Sequence, residues 1–277
     1  MELQAALQSI HLYSPDPMAS ANFYGSTYDM KIEPVPAGYR CSGPGRELRL
    51  SAGPASQLKH VHFALSSDGA WQAFAARVSH LEHCPLPDEF ANNAAQAIAL
   101  RDPDRNLAVF TPPAVARCAS AQTGLPPVTL QHLGLRTANL DGMLAFYTGQ
   151  LGFILSDAVK DPQGELRACF LRTDKLHHSL ALFYAPVAGF DHQSFEAPDW
   201  DAMKVWGDRM AALQVPIVWG IGRHGPGNDV FFMVRDTDGN LAEISAEIEH
   251  CAAGRPAGLW PHEERTLNLW GKAILRS

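Results

Sequence analysis

The strongest constraint on this chain's fold is a phrase that it writes twice. "RDPDRNLAVF" starts at Arg101 and "RDTDGNLAEI" at Arg235, and the two agree at Arg, Asp, Asp, Asn, Leu and Ala. The echo extends beyond those ten residues. "SIHLYSPDPMASANFYGSTYDMKI", near the start, matches "QHLGLRTANLDGMLAFYTGQLGFIL" from Gln131. Each reads as a short strand, a turn with Asp, a helix ending in Phe-Tyr and a return into strand. "HVHFALSSDGAWQAFAARV" from His60 pairs with "HQSFEAPDWDAMKVWGDRM" from His192, an alternating segment followed by an Asp-containing turn and an amphipathic helix with Trp on its apolar side. The repeated phrase then closes each half as a tight turn feeding a strand.

A chain built this way is expected to be α+β, with two tandem modules. The first covers 1–113 and the second 128–249. Between them 114–127 is rich in Pro, Ala, Ser and Gly and reads as a linker. The tail, 250–277, carries Trp260 and Trp270 and is expected to pack back on the body or on a partner subunit. Each module restarts its strand–helix pattern halfway along. Each should therefore hold two β-α-β-β-β units, forming a curved mixed sheet around a cavity with helices outside.

Composition sets the broad class. A length of 277 residues suits two domains, and 46% hydrophobic with 18% charged residues describes a soluble chain with ample core. A formal charge of −7 with no dense Lys/Arg block argues against a nucleic-acid partner. The start, "MELQAALQSIHLYSPD", has no basic segment followed by an apolar run, and nothing approaches the ~18 apolar residues of a membrane span. Cys41, Cys84, Cys118, Cys169 and Cys251 are scattered and odd in number, which fits a reducing cytoplasm. Twelve histidines carry more weight, because imidazole is the commonest metal ligand.

Three motifs are set aside. "GIGRHG" (Gly220, Gly222, Gly225) matches the dinucleotide fingerprint in form, but Pro226 and Gly227 follow and a strand comes next, where that fingerprint needs a helix. "DTDGN" lacks the spaced oxygen ligands of a calcium loop and reads as a turn. His177 and His178 are neighbours, and adjacent strand residues point to opposite faces, so at most one is expected to share a site.

The two copies differ at three polar strand positions. Aligning Phe23-Tyr24 with Phe146-Tyr147 sets His132 opposite Ser9, and aligning Phe63 with Phe195 sets His192 opposite His60. The repeated phrase sets Glu243 opposite Val109. The second module thus presents His, His and Glu on three strands, 60 and 51 residues apart along the chain. Two imidazoles and a carboxylate on one face of a curved sheet form the facial triad of non-haem iron sites, which leaves half of an octahedral ion open to reactants. A lone strand histidine is more often a hydrogen-bonded core residue. Glu243 resists that reading, because its strand "NLAEIS" is otherwise apolar and a buried carboxylate without a cation is expensive.

The pattern "HLGLRT…FYTGQLGF…HHSLALF…FDHQSFE…GRHGPGND…RDTDGNLAEIS" resembles the type I extradiol ring-cleaving dioxygenases, the catechol 2,3-dioxygenase and dihydroxybiphenyl dioxygenase kind, of the vicinal oxygen chelate superfamily. The resemblance runs over nearly the whole chain and is most specific in the second module. It implies two tandem vicinal-oxygen-chelate modules, with His132, His192 and Glu243 holding Fe(II), or Mn(II), and a first module without a metal site. It implies that His178 handles a substrate proton, that His224 hydrogen-bonds a substrate hydroxyl, and that Asp229 supports that bond. For Asp229, a place as a loop residue facing water is an equal expectation. Alternation along "HSLAL" would put His178, Leu180 and Leu182 on one face. Phe231 and Trp219 are candidate walls for an aromatic ring, with core packing an equal expectation. The implied partners are an aromatic vicinal diol, O2 and further copies of the chain in a cytoplasmic homo-oligomer.

One departure stands out. The family usually carries a Tyr ten residues before the metal-binding Glu, and here Met233 occupies that place, where a thioether cannot donate a proton. This keeps two rivals in view: a non-oxidative lyase, isomerase or hydrolase of the same superfamily, and a small-molecule-binding protein. The intact His/His/Glu set argues against the second.

Overall fold

The computed structural model of the protein describes residues 3–113 and 124–275, without the side chains of 92–95. Residues 114–123, which include Cys118 and most of the expected linker, lie outside the described residues. The front half runs β1 (Ala5–Ser14), α1 (Pro17–Tyr28), β2 (Lys31–Val35), β3 (Gly38–Gly43), β4 (Arg46–Ala52), β5 (Gln57–Leu65) and α2 (Asp68–Val78). A 3-10 segment (Asp88–Gln96), β6 (Ile98–Arg101) and β7 (Leu107–Thr111) complete it. These strands form one sheet in the order β2-β3-β4-β1-β5-β7-β6.

The rear half begins with β8 (Thr129–Thr137) and α3 (Leu140–Ala145), which runs into a π-helical turn over Phe146–Leu151. It continues through β9 (Ile154–Lys160), β10 (Leu166–Arg172), β11 (Leu180–Tyr184), β12 (Gly189–Glu196) and α4 (Trp200–Ala212). Then come β13 (Trp219–Arg223), β14 (Val230–Arg235), β15 (Leu241–Ala246), β16 (Gly258–Pro261) and α5 (Glu264–Leu267). Its sheet has the order β13-β14-β15-β12-β8-β11-β10-β9-β16. The two sheets are mixed and carry few helices, an α+β fold.

The β-α-β-β-β unit holds three times out of four. In the second unit of the front half, the 3-10 segment stands where β13 stands in the rear. The cause is local: "CPLP" leads into it, and the two prolines have no N–H to give a sheet ladder. The tail also does more than cover the body, because β16 pairs in parallel with β9 and extends the rear sheet.

The helix starts follow the polar turns of the sequence. Asp16 accepts from Ala19 N at 3.0 Å with Pro17 in the first turn, Ser67 accepts from Ala70 N at 3.1 Å, and Asp199 accepts from Ala202 N at 2.8 Å. Each satisfies one of the N–H groups that a helix start leaves free.

The repeated phrase and the repeated Phe-Tyr pair turn out to be two ends of one contact. Asp102 accepts from Asn106 N at 2.8 Å and Asn106 Nδ2 at 2.9 Å, and Asp236 does the same with Asn240 at 2.8 and 3.0 Å. Those bonds close each turn. The Oδ2 that accepts from each Asn side chain also receives a tyrosine from the other half: Tyr147 donates to Asp102 at 3.1 Å, and Tyr24 donates to Asp236 at 2.8 Å. The modules grip each other by this reciprocal exchange. One apolar core continues across the join, where Tyr28 of α1 packs on Phe195 of β12 at 5.1 Å and on Trp206 of α4 at 6.2 Å between ring centroids.

Candidate metal centre

The ladders set the site. β12 runs antiparallel to β8 with His192 opposite Gly134 and Ser194 opposite His132, and parallel to β15 with Ser194 beside Glu243. The front ladders repeat this with His60 opposite His11, His62 opposite Ser9, and His62 beside Val109. Strand pairing therefore makes the same correspondences as the sequence alignment: Ser9 with His132, His60 with His192, Val109 with Glu243. It adds one that the alignment left unused, His11 with Gly134.

In the rear half the three side chains converge, with one ligand atom from each of His132, His192 and Glu243 within 4.8 Å of the others. All three are buried. His192 Nδ1 lies 2.6 Å from Asp191 Oδ1, and His132 Nδ1 is hydrogen-bonded to Gln131 Oε1. Both oxygens can only accept, so each ring carries its proton on Nδ1 and leaves Nε2 as a lone pair. Those two Nε2 atoms face each other at 2.9 Å. Glu243 Oε1 accepts from Ser194 Oγ at 3.1 Å, while Oε2 is buried with no hydrogen bond. Two lone pairs and an unmatched carboxylate oxygen in one dry spot repel unless a cation sits among them. Donors bound at about 2.1 Å on adjacent corners of an octahedron lie roughly 3 Å apart, so the spacing fits a divalent ion. Gly134 is needed for this geometry: a Cβ there would fall 2.3 Å from His192 Cε1.

His178 and His177 occupy the bend before β11 rather than the strand, and the expected alternation does not apply. On β11 it is Ala181 and Phe183 that line the cavity beside the centre, whereas Leu180 and Leu182 belong to the main core. His178 lines that cavity from the bend, its ring 4.3 Å from that of His132. His177 is buried directly behind it, with the two Nδ1 atoms 3.0 Å apart and His177 Nε2 3.2 Å from Asp157 Oδ2. Burial alone would raise the Asp157 carboxyl, but His177, Arg255 and Trp260 outweigh it and bring it down to about 2. The ionised Asp157 carboxylate lies off the line of a ring N–H at His177 Nε2, and its charge favours the tautomer with the His177 proton on that nitrogen. In that tautomer His177 Nδ1 accepts and His178 donates from Nδ1. His178 Nε2 is then left as a lone pair. Burial, and then the charges of neighbouring histidines, lower the His178 imidazole and keep it neutral. Gly227, at φ +86°, lets the loop lie against this pair, where a Cβ would come 3.2 Å from His177 Nδ1.

His224 sits in the glycine-rich loop after β13. Its Nδ1 donates to Leu267 O at 2.6 Å and its Nε2 lies 4.0 Å from Glu243 Oε2. Burial alone would lower this imidazole, but Glu243 and Asp229 outweigh it and hold it above its ordinary value. Asp229 is fully buried rather than facing water, and neither carboxyl oxygen has a hydrogen bond. Burial raises it above the usual carboxylate range. With Glu243 and His224 it forms a second set of nearby donor groups. Phe231 is not a cavity wall: it stacks under the His224 ring at 3.7 Å and 6°. Trp219, Phe170, Phe183 and Met233 do line the cavity, and Met233 pairs with Glu243 across the ladder.

Sequence reasoning missed the supporting residues Gln131, Asp191, Ser194, Asp157 and Leu267. An acceptor beside each ligand histidine, "QH" and "DH", is the one local signal that points to two of them.

Residues 129–244 match the model of the Glyoxalase/Bleomycin resistance protein/Dioxygenase superfamily. The chain is 33% identical over 150 residues to Metapyrocatechase 2 of Cupriavidus necator, an alignment covering 53% of this chain and 46% of that protein. It spans less than half the length of the curated relatives it matches. Among solved structures, the Mn(II)-bound glyoxalase from Novosphingobium aromaticivorans shares the fold with a TM-score of 0.79 at 21% identity, over 98% of this chain and 91% of that one. Homoprotocatechuate 2,3-dioxygenase from Brevibacterium fuscum does so with a TM-score of 0.80 at 19% identity, over 97% and 89%. Residues 129–244, the stretch that holds all three candidate ligands, are a domain of the glyoxalase, bleomycin resistance protein and dioxygenase superfamily.

Proposed function

We propose that the protein is an extradiol dioxygenase that opens an aromatic ring beside a vicinal diol, inserting both atoms of O2, at a divalent metal held by His132, His192 and Glu243. The observation that carries this reading is the pair of imidazole lone pairs at 2.9 Å beside the unmatched Glu243 oxygen, at one end of an aromatic-walled cavity. The relative named Metapyrocatechase 2 and the fold shared with homoprotocatechuate 2,3-dioxygenase point to the same chemistry. The donor set accepts Fe(II) or Mn(II), and the reading takes Fe(II).

When bound, that ion supplies a Lewis acid and an open coordination face for diol and O2. The chain supplies the rest. His178, with its lone pair on Nε2, takes the second proton of the diol. His224 bonds a substrate oxygen, and its place against Phe231 and the Leu267 carbonyl fixes its plane. Trp219, Phe170 and Phe183 hold the ring and keep water away. Among the described residues, no hydroxyl side chain lining the cavity replaces the family tyrosine at Met233, so hydrogen bonding to substrate falls on His178 and His224.

The test is anaerobic loading with Fe(II), followed by O2 uptake across mono- and bicyclic catechols. Stoichiometric uptake with a new visible absorbance from the ring-opened semialdehyde supports the reading. Turnover without O2 would replace it with a lyase or isomerase, the reading that Met233 favours.

A further inference from the structure

The front half lacks the two ligands that the rear half has at Ser9 and Val109 positions, yet it is not empty of donors. His11 occupies the place that Gly134 must keep clear in the rear, and it faces His60 across the ladder with ring centroids 4.8 Å apart at 74°. Glu89 reaches the same point from the 3-10 segment, the element that stands in for β13. Its Oε1 accepts from His11 Nδ1 at 3.2 Å when no metal is bound and lies 3.1 Å from His60 Nε2. All three ligand atoms fall within 4.8 Å of one another.

The hydrogen bond from His11 leaves His60 unmatched. His60 is fully buried, and neither of its ring nitrogens has a hydrogen bond: Nε2 is close to Glu89 but off the line that a ring N–H would take. His11 is oriented from behind by Ser51 Oγ, 2.7 Å from Nε2, as the rear imidazoles are by Asp191 and Gln131. Donors bound at about 2.0–2.1 Å lie roughly 3.0–3.4 Å apart, and the two carboxylate–imidazole distances fall in that range. Arg49 Nη1 stands 3.7 Å from Glu89 Oε1, but its Nε is paired with Glu47 at 2.8 Å, which offsets that charge.

We propose that His11, His60 and Glu89 form a second metal site for a first-row divalent ion of the Zn2+ type, which clamps the 3-10 segment onto the front sheet. Two nitrogens and one carboxylate suit such an ion, and a histidine in the glycine's place moves the centre one pair along β1. The site is independent of the rear reaction.

The experiment uses the full chain, equilibrated with Zn2+ and freed of loose ion by gel filtration. Wild type is expected to hold two ions, Glu89→Gln and Glu243→Val one each, and the double variant none. In the Glu243→Val protein, Co2+ should bring visible absorption bands that His11→Asn abolishes, and Zn2+ should raise its melting temperature. These second readouts serve if Glu89→Gln folds poorly. A wild-type protein with one ion that Glu89→Gln leaves in place, or no Co2+ bands in Glu243→Val, would show the trio to be a proton-sharing cluster and overturn the proposal.

Discussion

The front and rear sheets share one strand plan and put different chemistry on it. On β12 and on β5 the imidazoles His192 and His60 hold the same register, so the backbone alone does not choose a site. The choice falls on the neighbouring places. Where Gly134 leaves room, the His192 ring occupies the space a Cβ would take and meets His132 and Glu243. Where His11 fills that room, the ring turns to Glu89 on the 3-10 segment. One missing Cβ therefore fixes where a centre can assemble, and the carboxylate can come from the last strand or from the outer connection.

The comparison is broken most severely by giving the rear half the front's residue. Glu243→Val is expected to lower O2 uptake with catechols by roughly 10³-fold or more, the several kcal/mol that a Lewis acid supplies. The same change should stabilise the metal-free protein by about 1–3 kcal/mol, because Oε2 is buried with no hydrogen bond. Metal analysis, O2 uptake and denaturation read both halves of the prediction. Undiminished uptake would remove Glu243 from the centre.

The next contrast concerns the proton. Among the described residues, the front half has nothing equivalent to the Asp157–His177–His178 row. His178→Gln is expected to lower kcat by about 10²- to 10⁴-fold with the metal retained. Asp157→Asn, which releases the tautomer of His177 and so of His178, should lower kcat by about 10- to 100-fold. Its loss should be deepest at low pH, where the His178 lone pair is hardest to keep. A pH profile unchanged by Asp157→Asn would reduce Asp157 to its structural bonds with Trp260 and Arg255.

The two turn aspartates give a smaller contrast, in stability against pH. Burial first, then Asp104, raises Asp102 from 3.8 to about 6, against the hydrogen bonds from Asn106 and Tyr147. A raised carboxyl favours the folded state when protonated, so its contribution is complete below about pH 4 and is lost as pH rises to about 6. That rise in the carboxyl's pKa corresponds to about 3 kcal/mol. The unfolding free energy of wild type, less that of Asp102→Asn, should fall over that window and level off above it. A difference that rises with pH would mean that the carboxylate, not the acid, is what the turn holds. Asp236 is raised by the same cause and should behave alike.

How much of this could be read from the chain depended on whether a residue's role was local. The duplication, the helix caps at Asp16, Ser67 and Asp199, and the turn phrase were legible because short-range hydrogen bonds fix them. His132, His192 and Glu243 were legible because duplication supplied a built-in control: the same positions filled differently. Only His178 of the histidine pair lines the cavity, as expected, but for another reason than alternation, since both residues lie in a bend before the strand. Phe231 was left open between wall and packing, because aromaticity does not tell a wall from the support it proves to be under His224. Glu89 could not be found by aligning the copies, because the segment that carries it replaces a strand and has no partner to align with. The tail was read as packing alone, yet the Leu267 carbonyl and Trp260 orient His224 and Asp157. Contacts made by backbone oxygens leave no residue type to recognise.

The smallest expected difference lies in the reciprocal tyrosines. Tyr24 donates to Asp236 at 2.8 Å and also accepts from Gln193 Nε2 at 2.8 Å, whereas Tyr147 has the one bond to Asp102 at 3.1 Å. Both are fully buried. Phenylalanine at either place keeps the ring packing and removes only the hydroxyl. Tyr147→Phe strands one carboxyl edge that Asn106 still serves, which should cost about 1 kcal/mol. Tyr24→Phe strands a carboxyl edge and an amide N–H together, and should cost about 2 kcal/mol. Urea denaturation of the metal-free variants separates the two values. Equal losses would mean that the Gln193 amide finds another acceptor, and that the two grips between the modules are equivalent in energy as well as in pattern.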